Sequence, residues 1–473
     1  MRENSSHHSE DQIKELLKEY EKLRQGRSHS FLEEESFDRI ITYFEENEDL
    51  PRALEASELA IERYPFSATL MVRKADVLLA SRQYRACLAI LEQAALYDSR
   101  DINLYILKTD ALLALDEQEK AVMILEEALD LFTGEERIEL LFELADVYDD
   151  YEEFDKVFDC LKLVLEEEPN NEEALYKICF WTDFTGRNEE GIRLHLSIIN
   201  EYPYNELAWF NLAAAYQGLK LYEKAIDAYK YAITIDEKFD YAYRNMGDAY
   251  IRLRKYREAI ESLEKVTELS KPEDVIFEAI GHCYDRMKNF AQARFYYRKA
   301  SHLNQEESKL HYKIACTYFN EQQWQKAMRQ LEVAMRLDRH HSEYSLLMGE
   351  CKMAVGAYKD AFQYFLNVVR LRPRNVSGWE ALIRCCFKTE QWDRALEVLD
   401  EAEVAAGGKP LFLYYRAAVL LSSGKLKEAM LRLEQAMSVA PRQVKKFIEL
   451  NPAFLQNQQV VDVIARFKRN KAI

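Results

Sequence analysis

Glycine and proline are scarce in this sequence. Its 473 residues include 13 Gly and 9 Pro, too few for a turn-rich all-β chain or a Gly-rich phosphate-loop enzyme of this length. The 8 cysteines never form C-x-x-C and never join histidine at zinc-ligand spacing, so no metal site and no cofactor is expected. No run approaches the ~18 apolar residues of a membrane span. The opening MRENSSHHSEDQIKELLKEY lacks the apolar centre of a leader peptide. These absences point to a cytoplasmic chain with reduced thiols and no membrane partner. Hydrophobic residues make up 48% of the chain, and 29 Tyr and 23 Phe are present. That is enough for a large core of helices packed through aromatic side chains.

Charge is lopsided. The net formal charge is −18. Residues 1–171 hold 19 basic and 42 acidic residues, whereas the remainder holds 45 and 40. Phosphate binding needs clustered cations, so this acidity argues against nucleic acid as a partner.

An internal period sets the architecture. Ala225, Ala259, Ala293, Ala327, Ala361, Ala395 and Ala429 follow one another at a constant spacing of 34 residues. Tyr222, Tyr256, Phe290, Trp324, Tyr358, Trp392 and Leu426 stand three residues before them. Within 206–239, Trp209, Leu212, Ala213 and Tyr216 are spaced for one helix. Ala225, Ile226, Tyr229, Ala232 and Ile233 are spaced for a second, and Gly218 lies near the expected break. The alanines let two helices approach closely while the aromatics fill the grooves beside them.

Tyr243, Met246, Gly247, Tyr250, Tyr256 and Ala259, and again Phe277, Ile280, Gly281, Tyr284, Phe290, Ala293 and Ala300, follow the pattern W-x2-L-G-x2-Y…A-x3-F…A. Pro65, Pro169, Pro203, Pro373 and Pro441 supply its closing proline. In these columns the chain resembles the tetratricopeptide-repeat family. The resemblance implies an all-α right-handed superhelical solenoid of about twelve helix–turn–helix repeats with helical caps. The expected organisation is a flexible start and capping helix (1–33), three acidic repeats (34–137), six central repeats (138–341), three further repeats (342–443) and capping helices (444–473). Two residues are inserted around Thr133-Gly134. The first helix is expected over 11–25 with Gly26 as its cap, and the chain is expected to break at Asn451-Pro452. A docking role for these terminal helices is the alternative to capping.

In the family the first helix of each repeat lines the concave face, with positions 2, 5, 6, 9, 12 and 13 pointing into it. The resemblance therefore implies a partner-binding groove with Tyr176, Phe180, Phe210, Asn211, Arg244, Asn245, Arg252, His282, Arg286, Tyr312 and Lys313 along it. Asparagine at position 6 can bond both backbone groups of an extended peptide. An ordinary solvated face is the alternative for this stretch. Asp248, His282 and Cys316 share position 9 in successive repeats and have the residue types of a thiol-nucleophile system. Neighbouring helices stand about 8–10 Å apart, whereas a nucleophile and its base need about 3 Å. Catalysis is therefore not expected. The expected function is a non-enzymatic scaffold that binds a protein or peptide in the groove. The alternatives are an adaptor or targeting subunit of a separate enzyme such as a transferase, and an RNA-binding helical repeat.

Overall fold

A computed structural model describes residues 2–25 and 32–469. Among the described residues there are 27 α-helices, two short 3-10 segments and no strand. The chain divides into two compact halves, 1–242 and 243–473, each built from the same element. That element is a first helix, a tight turn and an antiparallel second helix, and its repetition makes an all-α solenoid.

The early pairs are Glu34–Glu46 with Leu50–Arg63, Ala68–Ala80 with Tyr84–Ala95, and Ile102–Leu113 with Gln118–Leu129. Glu135–Asp150 with Phe154–Glu167, Glu172–Phe184 with Asn188–Glu201, and Glu206–Gly218 with Tyr222–Ile235 follow. The later pairs are Asp240–Arg252 with Tyr256–Leu269, Asp274–Arg286 with Phe290–Leu303, and Ser308–Asn320 with Trp324–Leu337. Ser342–Ala354 with Tyr358–Leu371, Val376–Lys388 with Trp392–Ala406, and Pro410–Ser422 with Leu426–Val439 complete them.

The pairs close through contact between a small and a large side chain. The register alanines Ala225, Ala259, Ala293, Ala327, Ala361, Ala395 and Ala429 are all fully buried. Four residues after them stand Tyr229, Leu263, Tyr297, Leu331, Phe365, Leu399 and Leu433, also buried. Three of these large side chains press on a glycine of the first helix. A Cβ added at Gly247 would lie 2.8 Å from Leu263, at Gly281 2.7 Å from Tyr297, and at Gly349 2.4 Å from Phe365. Glycine is required at those positions because the neighbouring side chain occupies the methyl's volume.

The turn inside each pair repeats to the residue. Position 15 of every repeat has positive φ: Glu48, Arg82, Asp116, Glu152, Lys220, Arg254, Lys288, Gln322 and Glu390, and the glycines Gly186, Gly356 and Gly424. The next residue donates back across the turn, as in Asp49 N–H to Phe44 O (2.8 Å), Lys255 N–H to Tyr250 O (2.9 Å) and Gln323 N–H to Tyr318 O (2.8 Å). This is the Schellman arrangement, which satisfies carbonyls left open at a helix C-terminus. The break after the helix Glu206–Gly218 therefore falls at Lys220 (φ 61°), two residues after Gly218, which lies at the helix end as expected. Gly218 is the helix's last residue, where an added Cβ would meet the Asn188 amide at 2.3 Å.

Junctions between repeats are fixed by polar contacts of constant register. Asn171, Asn205 and Asn375 each accept an N–H from the first turn of the following helix. The Trp209 indole donates to the Pro203 carbonyl (2.9 Å) and the Trp379 indole to the Pro373 carbonyl (2.7 Å). The tryptophan column thus reaches the proline column of the preceding repeat.

The ends and the insertion differ from expectation in detail. The first helix runs Arg2–Arg24, beginning well before residue 11. It buries Tyr20 and Leu23 on a core with Phe37 and Phe44, the Tyr20 and Phe44 rings lying 5.9 Å apart. Gly26 lies outside the described residues. The insertion lengthens a first helix to 16 residues, Glu135–Asp150, entered through Gly134 at φ 68°. At the other end Val444–Leu450 is followed by a 3-10 turn from Pro452 and the helix Gln458–Arg469. Phe447, Phe454, Val460, Val463 and Ile464 are buried in the same core as Tyr414 and Tyr415 of the last repeat. Among the described residues no helix is long and apolar enough to cross a membrane.

One buried ionisable side chain breaks the apolar rule. His195 stands four residues after Gly191, where the other repeats carry Leu, Tyr or Phe and the first carries Ser57. It is fully buried, and neither ring nitrogen has a hydrogen-bond partner. Burial alone drives its pKa down to about 3.

Two predictions follow from this core. Ala327→Leu and Gly349→Ala each overfill a closed contact and should lower unfolding free energy by about 1–3 kcal/mol, read from urea titrations. Unchanged midpoints would show that the small-on-large contact does not hold the pair together. His195 is neutral in the fold, and its unfolded pKa is higher, near 6.5. Below that pH the unfolded chain takes up a proton that the fold refuses, so stability falls as pH drops toward 3. His195→Leu, the residue most repeats use, removes this term. The stability gap between variant and wild type should widen by roughly 1.4 kcal/mol per pH unit below about pH 6. Parallel pH profiles for the two proteins would contradict it.

Candidate functional site

First helices form one layer and second helices another. Within the first half, the helices Glu34–Glu46, Ala68–Ala80 and Ile102–Leu113 each touch the next first helix directly, as Glu172–Phe184 does Glu206–Gly218, and Lys177 links Glu172–Phe184 to Asp146 of Glu135–Asp150. In the second half Ser308–Asn320 and Ser342–Ala354 touch the next first helix in the same way. Positions 5, 9 and 13 of a first helix recur every four residues and so share one face.

In the first half this face is aromatic. Tyr176, Phe180 and Phe184 occupy those positions on one helix and are 63%, 59% and 56% exposed. The Phe180 and Phe184 rings stack at 5.6 Å. Phe154 lies edge-on to Phe184 at 4.9 Å, and Trp181 contacts Phe180 at 4.9 Å and Phe184 at 5.6 Å. Phe210 behaves differently: it is half-buried between Tyr229 (5.7 Å) and Phe239 (5.0 Å). Asn211 requires a correction. It is only 3% exposed, and its amide donates to the Leu175 carbonyl of the adjacent first helix at 2.7 Å. A buried amide must find an internal partner, and this one joins two repeats where an open groove position was expected.

In the second half the expected cations are present but mostly engaged. Arg244 donates to Glu273 at 2.9 Å, and Arg252 approaches Asp248 at 3.5 Å. Lys313 pairs with Glu278 and lies 6.0 Å from the Tyr297 ring centroid. Arg286 is exposed and reaches the Tyr256 hydroxyl at 3.3 Å. Asn245 is half-buried. Tyr312 packs at 5.1 Å on Tyr344. His282 is half-buried, and its pKa is lowered first by burial and then by the Lys313 and Arg286 charges. Burial raises the Cys316 thiol to about 11. That thiol stays protonated at neutral pH and is no activated nucleophile.

The excess of acidic side chains lies in the first half, as the charge distribution of the sequence implies. The face of Glu135–Asp150 carries Glu139, Glu143, Asp146, Asp149 and Asp150 beside the aromatic helix. Burial holds the Glu143 carboxyl above its usual range, and the charges of Asp110, Asp146 and Glu139 raise it further. Lys177 lies among them, 2.9 Å from Glu173, 3.7 Å from Asp146 and 4.9 Å from the Phe142 ring centroid.

Comparison with known proteins gave concordant family matches. Family models described as tetratricopeptide repeat match residues 207–239, 241–272, 276–307 and 346–410. No curated protein matched. Among solved structures, the C-terminal part of a TPR repeat-containing protein from Cytophaga hutchinsonii is 17% identical, with a TM-score of 0.44. That match covers 54% of this chain and 99% of the other. The APC/C hetero-tetramer Cut9–Hcn1 gives 13% identity and a TM-score of 0.35, covering 84% of this chain and 96% of that one. YrrB, a TPR protein with an unusual peptide-binding site, gives 19% and 0.35, covering 40% and 96%. Built from one helical pair used over and over, with stretches in both halves matching the family's own models, the chain carries tetratricopeptide repeats, which serve generally as scaffolds for protein–protein interaction.

Proposed function

We propose that the chain is a non-enzymatic scaffold that holds an extended segment of another protein on the face of its first helices. The observation that carries this is the layering. Several first helices abut the next one, and elsewhere side chains join them, as Lys313 does with Glu278, so the side chains on this face lie beside those of the next first helix instead of inside a pair. An extended segment laid across such helices meets a new set of side chains at each repeat. In the second half Arg244, Asn245, Arg252, His282, Arg286, Tyr312 and Lys313 would contribute polar contacts, with Arg286 the most accessible. In the first half Tyr176 and Phe180 would contribute apolar ones, with Phe210 at their edge. We place this work in the cytoplasm, where the eight free cysteines stay reduced.

The double variant Asn245→Ala/Arg286→Ala tests this reading. Neither side chain is part of a core cluster, so its thermal melt should match wild type. Affinity capture of the natural partner should fall, and the Arg286 share of binding should weaken with added salt. Lys265→Ala, on the second helix of the Asn245 repeat and exposed, is the control. Equal loss in control and variant, or loss in neither, would refute the first-helix face as the binding surface in residues 243–307.

A further inference from the structure

The exposed aromatic surface at the end of Glu172–Phe184 is contiguous. Tyr176, Phe180 and Phe184 follow one another at single-turn spacing. Phe154 and Trp181 brace the last two through ring contacts of 4.9 to 5.6 Å. Braced rings lose little freedom on binding, which favours their use as anchors. A contiguous exposed apolar patch of this kind marks a docking surface more often than a solvated one.

Its surroundings specify the sign of the partner. The neighbouring helix Glu135–Asp150 presents Glu139, Glu143, Asp146, Asp149 and Asp150, and the aromatic helix itself adds Glu173 and Asp183. The cation among them, Lys177, is already shared between Glu173 and Asp146. Burial first, and then the neighbouring carboxylates, raise the Glu143 carboxyl above its ordinary range, and burial and Asp76 do the same to Asp110. A cleft of about 390 Å³ runs between the two helices, lined by Glu139, Phe142, Glu143, Asp146 and Lys177. The second half offers the contrast: there Arg244, Arg252 and Lys313 each face a carboxylate. Among the described residues of the face beside the rings, Lys177 is the cation that meets these carboxylates, and an incoming cation would add to it at Asp149 and Asp150. Cations also sit favourably over exposed aromatic faces.

We propose that this face takes a basic protein segment in which apolar and Arg or Lys side chains alternate. The apolar side chains rest on Tyr176, Phe180 and Phe184, and the cations meet Asp146, Asp149 and Asp150. The assignment rests on the scaffold reading above and names the chemistry of the segment held in the first half. Alternation suits an extended chain, whose successive side chains point to opposite sides. One side can then face the rings while the other reaches toward the acidic helix.

The test is fluorescence anisotropy of the full chain with a labelled dodecapeptide alternating Leu and Arg. A Leu/Glu peptide and a Gly/Arg peptide are the matched probes, and spermine is the competitor. The Leu/Arg peptide should bind, the Leu/Glu peptide should not, and the Gly/Arg peptide should bind at least ten-fold more weakly. Phe180→Ala/Phe184→Ala and Asp146→Asn/Asp149→Asn change exposed residues, so both variants should melt as wild type does. Each should weaken Leu/Arg binding at least ten-fold. Added salt should weaken wild type more than the Asp146→Asn/Asp149→Asn variant. Equal binding of the Leu/Arg and Leu/Glu peptides, indifference to both variants, or full displacement by spermine at concentrations matching the peptide's would overturn the assignment. Failure of the Leu/Arg peptide to bind would overturn it too and leave the scaffold reading standing, because that reading is tested with the natural partner on residues 243–307.

Discussion

Most pairs of helices close on the same contact, a small residue on the first helix against a large one on the second. Where the large residue is Leu263, Tyr297 or Phe365, the facing residue is Gly247, Gly281 or Gly349, and a methyl group at the glycine would overlap the neighbour. The register alanines do the same work one turn away on the second helix. Both residues are set by volume, which limits how closely the two helix axes approach. A recurring pair lets one stacking rule serve along each half.

Given that geometry, the turn has little freedom. Two helices this close must reverse within a few residues, and every repeat does so with a left-handed residue at position 15. Nine of these positions carry a side chain, each at a cost of about 1–2 kcal/mol in backbone energy. The hydrogen bond across the turn and the packing it permits offset that cost. The penalty recurs along the chain because the closed pair requires the turn and not because the local sequence prefers it.

Much of this architecture was legible from spacing alone. A constant period of 34 in the alanines, with bulky partners three residues before, identifies the pair and its buried face. The features that were not legible involve competition between partners that sequence does not rank. Lys220, Arg254 and Lys288 give no sign of positive φ, since the conformation is imposed by the pair. Asn211 and Asn245 look equivalent by column, yet one is committed to the Leu175 carbonyl and the other is only half-buried. Arg244, Arg252 and Lys313 read as cations available to a partner, whereas carboxylates at other positions engage them. His195 occupies a column of mostly Leu, Tyr and Phe, in which a polar residue signals a buried exception. Comparing it with Leu161 and Tyr229, each 34 residues away, would have exposed it. The extended helix Glu135–Asp150 shows the same limit: an insertion's residue count is visible, but whether it becomes loop or extra helical turn depends on Gly134 and on where Arg137 finds its partners, Glu167 and the Leu129 carbonyl.

What packing leaves over is where function can reside. Core columns are fixed by volume, turn positions by backbone geometry, and junction residues such as Trp209, Asn205 and Asn211 by their hydrogen bonds. The remaining freedom lies at positions 5, 9, 12 and 13 of the first helices. The two halves use it differently. The second half has spent much of it on internal ion pairs, which gives a polar face with little net demand for a counter-charge. The first half places open carboxylates beside exposed rings, a combination that adds nothing to its own stability. Like charges at short range destabilise the fold, and exposed aromatic surface invites association. A face whose Asp146 and Glu173 share one cation, Lys177, and whose rings stay exposed is best explained by a partner that relieves both together.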